Sequence, residues 1–393
     1  MWPCFRRTDV AKTRRLCSAE QAFGNRHRYI VSRPALAKPA RQGHCQGAGG
    51  IAGVDGERAM LRRPLGNGGP KVSALGIGAM SFAGFYGAAS EETCHAVLDM
   101  ALDYGVDHID TANVYGMGKS EEIIGRYLAR YSDRGQIPFR IATKASISRD
   151  PDTGKPSFDN SAKHLETELD RSLKRLGLEK VDLFYVHRRD PRHEIEEVTE
   201  VLAGLVAKGK IGAFGYSEIA PSSLRRAAAV HPVAAVQSEY SLQTRLPELG
   251  MVQACEALGT ALVAFSPVGR GLLSDTPPTP ERVDAAWFLK SNPRFTGGNL
   301  DRNIAASQPL RALAAEAGYP TATLAIAWVL SQSMSVHAIP GTRSTGHLQD
   351  LMRGASMMLD DDLKAEIERR VPPGWAHGAR YAPEQSVGPE VYC

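Results

Sequence analysis

A chain of 393 residues with 43% apolar content can bury a large core, and it holds no run of 18 or more apolar residues that would span a membrane. Its formal charge of +4 misleads, because residues 1–59 hold eleven Lys or Arg against four acids and leave 36 basic and 39 acidic residues in 60–393. A mildly acidic body without clustered Lys/Arg and stacking aromatics excludes a nucleic-acid surface. The six cysteines, scattered at 4, 17, 45, 94, 255 and 393 with no Cys-x-x-Cys pair, argue against a metal site and fit reduced thiols in the cytoplasm.

Residues 1–59 also lack helical or strand periodicity, so they are expected to be a disordered extension. They are basic enough for a transit peptide, but Asp9 and Glu20 interrupt them and no amphipathic helix shows. A secretory signal is excluded by the lack of a seven-residue apolar core. The composition breaks at Met60, and a start codon assigned too far upstream, with Met60 as the initiator, is the simplest account.

From residue 73 the chain alternates short apolar runs with amphipathic stretches. In chain order the strand-like runs are 73–80, 108–112, 140–145, 181–188, 211–217, 233–240, 261–267 and 336–342. Between them, stretches such as "SEETCHAVLDMALDYG", "SEEIIGRYLARY", "SAKHLETELDRSLKRLG" and "EIEEVTEVLAGLVAKG" carry apolar positions three and four apart and predict helices. Ser90 and Ser120, each followed by glutamates, read as helix starts. Eight alternations without a change of composition predict an α/β protein with one (β/α)₈ TIM barrel over 60–371, rather than a doubly wound sheet.

In a parallel barrel, functional groups gather where the strands run out into loops at their C-terminal ends. The second run ends in Asp110 and leads to Tyr115, the third carries Lys144, and the fourth carries His187. Singly each has an ordinary reading: Asp110 capping its own turn, Tyr115 packing, Lys144 reaching solvent, His187 a satisfied polar group. Jointly those readings weaken, because a lysine inside the apolar "RIATKA" needs a paired charge and Asp110 on the neighbouring strand supplies it. A tyrosine keeps its proton at neutral pH yet can give it to an alkoxide, a lysine ammonium eases that donation, and a histidine can orient a carbonyl oxygen. The set predicts carbonyl reduction, with the hydride coming from a nicotinamide because no side chain supplies one. The sequence offers neither a Ser/His/Asp order with an oxyanion motif nor three convergent carboxylates for a metal.

In "DTANVYG", "ATKAS", "DLFYVHRRDP", "GKIGAFGYSE", "VQSEYSL", "AFSPVGRGLL" and "IPGTRS" the chain resembles the aldo-keto reductase family over about residues 61–371. "HRRDP" and "YGMGKSEE" look like its bacterial and plant-type branch. The resemblance implies a (β/α)₈ barrel opened by a short hairpin after Met60, and NADPH held without a Rossmann domain. It implies Asp110, Tyr115, Lys144 and His187 as the catalytic set, with Tyr115 the proton donor. By the same resemblance Ser217 and Gln237 meet the nicotinamide carboxamide, and Phe265 stacks on the ring where Tyr is more usual. Ser266, the backbone near Val268, and Arg270 meet the pyrophosphate. Gly341, Thr342 and Arg343 lead into a helix beginning near Ser344, where Arg343 and free backbone N–H groups would meet a 2′-phosphate.

Four further positions depart from the family pattern: Glu218 stands where Asn is common, His347 where a second Arg is frequent, and Asp350 and Leu351 where a Glu-Asn pair is frequent. A weaker, pH-sensitive grip on the phosphate is expected. The stretch 272–306, with Trp287, Phe288 and several prolines, is longer than a barrel needs and reads as a lid. The tail 372–393, with Trp375 and Tyr381, is expected near the barrel mouth. The expectation is a monomer or weak oligomer that reduces small carbonyl substrates, aldehydes first and ketones second, with no nucleic-acid, membrane or metal partner. Two other classes use the same residues: a Schiff-base barrel enzyme with Lys144 as nucleophile, and a redox-sensing binding subunit with slow turnover.

Overall fold

The chain enters through an antiparallel hairpin, β1 (Arg62–Pro64) paired with β2 (Lys71–Ser73). Its apolar residues, Leu65 and Val72, face the barrel interior and close its floor, packing with Ala142, Leu183, Tyr185, Ala235, Val263 and Ile339. The buried Arg63 guanidinium donates to the carbonyls of Leu330, Ser333 and Val336, which ties the hairpin to the last strand. This computed structural model describes residues 60–132, 135, 137–149 and 156–392, so the extension expected over 1–59 lies outside the described residues.

Eight parallel strands follow: β3 (Ile77–Gly78), β4 (His108–Asp110), β5 (Arg140–Ala145), β8 (Val181–Val186), β9 (Ile211–Ser217), β10 (Ala235–Glu239), β11 (Ala261–Phe265) and β12 (Val336–Ile339). They pair in chain order, and a bridge between Leu75 and Ala338, with Gly76 N–H donating to the Ala338 carbonyl, joins the last strand to the first. Helices α1 (Glu91–Asp103), α2 (Lys119–Ala129), α3 (Ala162–Leu176), α4 (Ile195–Ala207), α5 (Pro221–Val230) and α6 (Met251–Leu258) form the outer layer, completed by α10 (Thr321–Leu330) and α11 (Thr345–Ala355). The expected (β/α)₈ barrel is the fold observed. The main core lies between strands and helices, where every other strand residue meets an apolar helix stripe.

Strands end earlier than the apolar runs that announced them. Thr111, His187, Pro267 and Gly341 all lie past the last ladder residue, because their polar or cyclic character favours the loops of the rim. Ser90 caps α1 as expected, accepting from Thr93 N–H at 3.2 Å. Ser120 does not cap α2: the cap is Gly118, and the Ser120 hydroxyl, already buried, donates to the Ala79 carbonyl and accepts from Thr111. An unforeseen hairpin, β6 (Ile147–Arg149) with β7 (Pro156–Phe158), rises directly after β5. The stretch 272–306 carries α7 (Pro280–Ala285) and α8 (Asn299–Ala306), and encloses a small core of Leu272, Val283, Ala286, Leu289, Phe295 and Leu300. The next helix, α9 (Gln308–Glu316), packs against the last, α12 (Asp361–Arg370).

Candidate active site

The strand register decides which side chains meet. Asp110 stands opposite Ala142, and Lys144, two residues further on, points to the same interior face. Gln237 and Ser217 stand opposite one another on β10 and β9. Gly215 lies one step below, where an added Cβ would fall 2.7 Å from the Tyr185 ring, so the ring can fill the barrel under the site. The interior therefore changes from apolar layers to one polar layer at its C-terminal end.

That layer is a closed ion pair. Lys144, wholly buried, donates to Asp110 and, at 2.8 Å, to the Thr111 carbonyl. Its third contact is the Tyr115 hydroxyl at 3.3 Å. The other Asp110 oxygen accepts from Gln237 Nε2 at 2.8 Å. Burial alone would lower the Lys144 pKa, but Asp110 and Tyr115 together outweigh it and hold the ammonium above its ordinary value. Tyr115 is raised above the ordinary phenol value of 10.0, by burial first, with the Lys144 charge opposing. The easing of proton donation expected from Lys144 is thus present and smaller than the cost of burial.

His187 completes the rim group, with its ring edge-on to Tyr115 at a centroid distance of 5.9 Å. Burial, then the charges of Arg188 and Lys144, push its pKa well below 6.5, so the imidazole is neutral. All these groups sit at one end of a cavity of about 1640 Å³. Every candidate residue read from the sequence lines it except Lys144, which lies beneath Asp110 and Tyr115.

Known proteins resemble this chain along most of its length. Residues 74–371 match the profile of the Aldo/keto reductase family. The chain belongs to that family. Relatives include aldo-keto reductase yakc, NADP(+), of Schizosaccharomyces pombe, 36% identical over 324 residues, which span 82% of this chain and 94% of the relative. A probable aldo-keto reductase 1 of Glycine max is 36% identical over 323 residues, covering 81% and 90%. Among solved structures, the glycerol dehydrogenase of Gluconobacter oxydans superposes with a TM-score of 0.68 at 28% identity, covering 81% of this chain and 97% of that one.

In this aldo-keto reductase, polarity along the cavity fits a nicotinamide at one end and phosphates at the other. Arg188 Nη1 donates to Ser217 Oγ at 3.1 Å, and since a guanidinium only donates, the Ser217 proton is left to point elsewhere. Gln237 spends its Nε2 on Asp110, which turns its amide oxygen outward as an acceptor. One donor and one acceptor side by side are what a carboxamide requires. Phe265, half-buried, lines the cavity beside them.

At the far end Ser344 caps α11, accepting from His347 N–H at 3.3 Å. Arg343 is braced by the carbonyls of Ala88 and Tyr86 at 2.5 and 2.8 Å. Burial, and then the positive charge of Arg282, hold Arg343 below its ordinary value. Arg282, on α7, was not singled out in the sequence: its charge acts on Arg343, and both line the cavity.

Arg270 has different surroundings from those expected of a pyrophosphate contact. Its guanidinium pairs with Glu239 at 3.0 Å, donates to the Arg380 carbonyl, and lies between the rings of Phe288 and Tyr381. Glu239 also holds Arg294 at 3.2 Å and approaches Arg380 at 3.6 Å, and Arg380 in turn binds Glu218. This second charge cluster fastens the tail. Of the tail aromatics Tyr381 lines the cavity, whereas Trp375 donates to the Leu242 carbonyl at 2.8 Å and packs on the main core. Strain also gathers at the rim, since all five non-glycine residues with positive φ among those described, Met117, Ser146, Glu218, Ser266 and Arg270, follow barrel strands.

Proposed function

We propose that the chain reduces aldehydes, with ketones as a second class, to alcohols using NADPH, and that Tyr115 is the proton donor. The observation that carries this reading is the Tyr115 hydroxyl, 3.3 Å from a wholly buried ammonium and edge-on to a neutral imidazole, facing the cavity. A reduced nicotinamide bound beside Ser217, Gln237 and Phe265 supplies the hydride to the carbonyl carbon. The residues of this chain do the rest. A neutral His187 donates a hydrogen bond to the carbonyl oxygen, Tyr115 gives its proton to the alkoxide as the C–H bond forms, and Lys144 steadies the phenolate that remains. Asp110 keeps Lys144 charged and in place.

The NADP(+) in the relative's name supports NADPH over NADH, as do two guanidiniums and a helix N-terminus at the far end of the cavity. The Schiff-base reading loses ground on the same contacts, because an amine held charged by a carboxylate is a poor nucleophile. Tyr115→Phe keeps the ring and removes the proton. Turnover of 4-nitrobenzaldehyde should fall by at least ~10²-fold while the Kd for NADP(+), measured by calorimetry, stays unchanged. Unaltered turnover in this variant would exclude the assignment.

A further inference from the structure

Around the reacting end of the cavity most arginines are matched: Arg171 with Glu168, Arg175 with Glu121, Arg189 with Glu390, Arg270 with Glu239, Arg380 with Glu218. Arg188 is different. No carboxylate among the described residues pairs with it, although it directly follows His187 and lines the same cavity. An unneutralised guanidinium beside a reacting carbonyl is costly to hold and needs a reason.

Its position is held from three sides. The backbone N–H donates to Ser146 Oγ at 2.8 Å, and the carbonyl accepts from the same hydroxyl at 2.9 Å and from Asn160 Nδ2 at 3.0 Å. The methylene stem lies under the tail at Gly388, where a Cβ would come within 2.9 Å of Arg188 Cδ and 2.8 Å of the Phe158 ring. At the head, Nη1 donates to the His187 carbonyl at 2.7 Å and to Ser217 Oγ at 3.1 Å. Both Nη1 hydrogens are thereby used. The remaining edge, Nε with Nη2, meets no protein acceptor among the described residues, neither atom is buried, and the residue lines the cavity. Two parallel N–H bonds from one guanidinium edge match the two oxygens of a carboxylate.

We propose that this free edge of Arg188 anchors a carboxylate carried by the substrate, so that the preferred substrates are aldehyde acids or oxo acids rather than neutral aldehydes. The inference rests on the reductase reading and adds the substrate's second functional group. Charge and shape both enter: the anion neutralises Arg188, and the fixed stem sets the distance from the carboxylate to the carbonyl facing Tyr115 and His187.

The test compares 4-formylbenzoate with its methyl ester, using NADPH and the full chain. The kcat/KM ratio of acid to ester should be about 10- to 100-fold in favour of the acid, the usual weight of a charge-assisted pair. In Arg188→Met that ratio should collapse to about one, and any effect transmitted through Ser217 to the cofactor cancels in it. Gly388→Ala, which displaces the stem without touching its charge, should lower the ratio while leaving 4-nitrobenzaldehyde turnover unchanged. Calorimetry gives a readout apart from turnover: benzoate should bind the NADP(+) complex more tightly than benzamide, and Arg188→Met should abolish that difference. Equal handling of acid and ester by the unaltered chain, or an Arg188→Met loss that falls equally on both, overturns the anchor and leaves the reductase reading standing. If no aldehyde is reduced at all, the reductase reading fails, and the benzoate measurement still decides the anchor.

Discussion

Two groups of buried charge lie at the C-terminal end of the barrel, and they are assembled in opposite ways. Asp110 and Lys144 come from adjacent strands and form a neutral pair, whose spare hydrogen bonds go to Thr111, Tyr115 and Gln237. The other group gathers Glu218, Glu239, Arg270, Arg294 and Arg380 from five separate stretches of chain. It holds three cations against two anions, and Arg270 Nε and Arg294 Nε are buried without a partner. The first group is compact and fully matched, as the proposed proton transfer from Tyr115 requires. The second is a fastening between barrel, the 272–306 stretch and tail, where net neutrality matters less than the number of segments tied together.

The largest effect expected on this contrast comes from Lys144→Met. It leaves Asp110 buried and unpaired, so stability should fall by about 3–5 kcal/mol and kcat by ~10²–10⁴-fold. Adding Asp110→Asn should restore most of the stability in a urea titration but none of the kcat. If the double variant is no more stable than the single one, the two groups do not differ as described.

Glu239→Gln removes the shared anion of the second group. Three guanidiniums would then face one another, and stability should drop by roughly 3 kcal/mol. Turnover of 4-nitrobenzaldehyde should change by less than about 10-fold, since no reacting atom is touched. Trypsin should cut after Arg380 faster than in the unaltered chain. A catalytic collapse with an intact tail would make this cluster part of the chemistry rather than a fastening.

The smallest effect is on pH dependence, and its sign follows from the two shifted groups. His187 is held well below 6.5, so it is already neutral near pH 6 and lower, and no acid limb from it should appear there. Tyr115 lies above 10.0, and the reduction needs its proton, so kcat should stay level through about pH 9 and fall only when the phenol ionises. Lys144 lowers Tyr115 more than Arg188 does, so Lys144→Met should move that alkaline limb to higher pH in whatever activity remains. A limb near 6.5 in the unaltered chain would show an imidazole far more hydrated than this structure has it.

The same contrast explains what could be read from the sequence. The Asp110–Lys144 pair was legible because both members sit in or at the end of apolar runs, where an unmatched charge is anomalous, and because neighbouring runs in a barrel are neighbours in space. Ser217, Gln237 and Phe265 were reached through the resemblance, and their polarity became visible only with the contacts to Arg188 and Asp110. Glu239, Arg294 and Arg380 carry no such local anomaly, since each is an ordinary charged residue in a loop or at a strand end. Arg282 was hidden for the same reason. The β6–β7 hairpin escaped because its second strand opens with Pro156 and is only three residues long. Ser120 misled because a serine before two glutamates has the composition of a cap, while the real cap, Gly118, works by its left-handed backbone.

The seating of the tail has a consequence for how such a protein could change its substrates. Between its fastenings, at Trp375 and His377 on one side and Glu390 on the other, the tail presents Tyr381, Glu384 and Gln385 to the cavity. Those three belong to no strand and support no barrel helix. Exchanging a few codons between residues 383 and 387 would redraw the wall that an incoming molecule meets, while Tyr381 stays on Arg270 and Gly388 stays clear of Arg188. A lineage or a designed library could therefore drift in diet through a segment that costs the barrel almost nothing to vary.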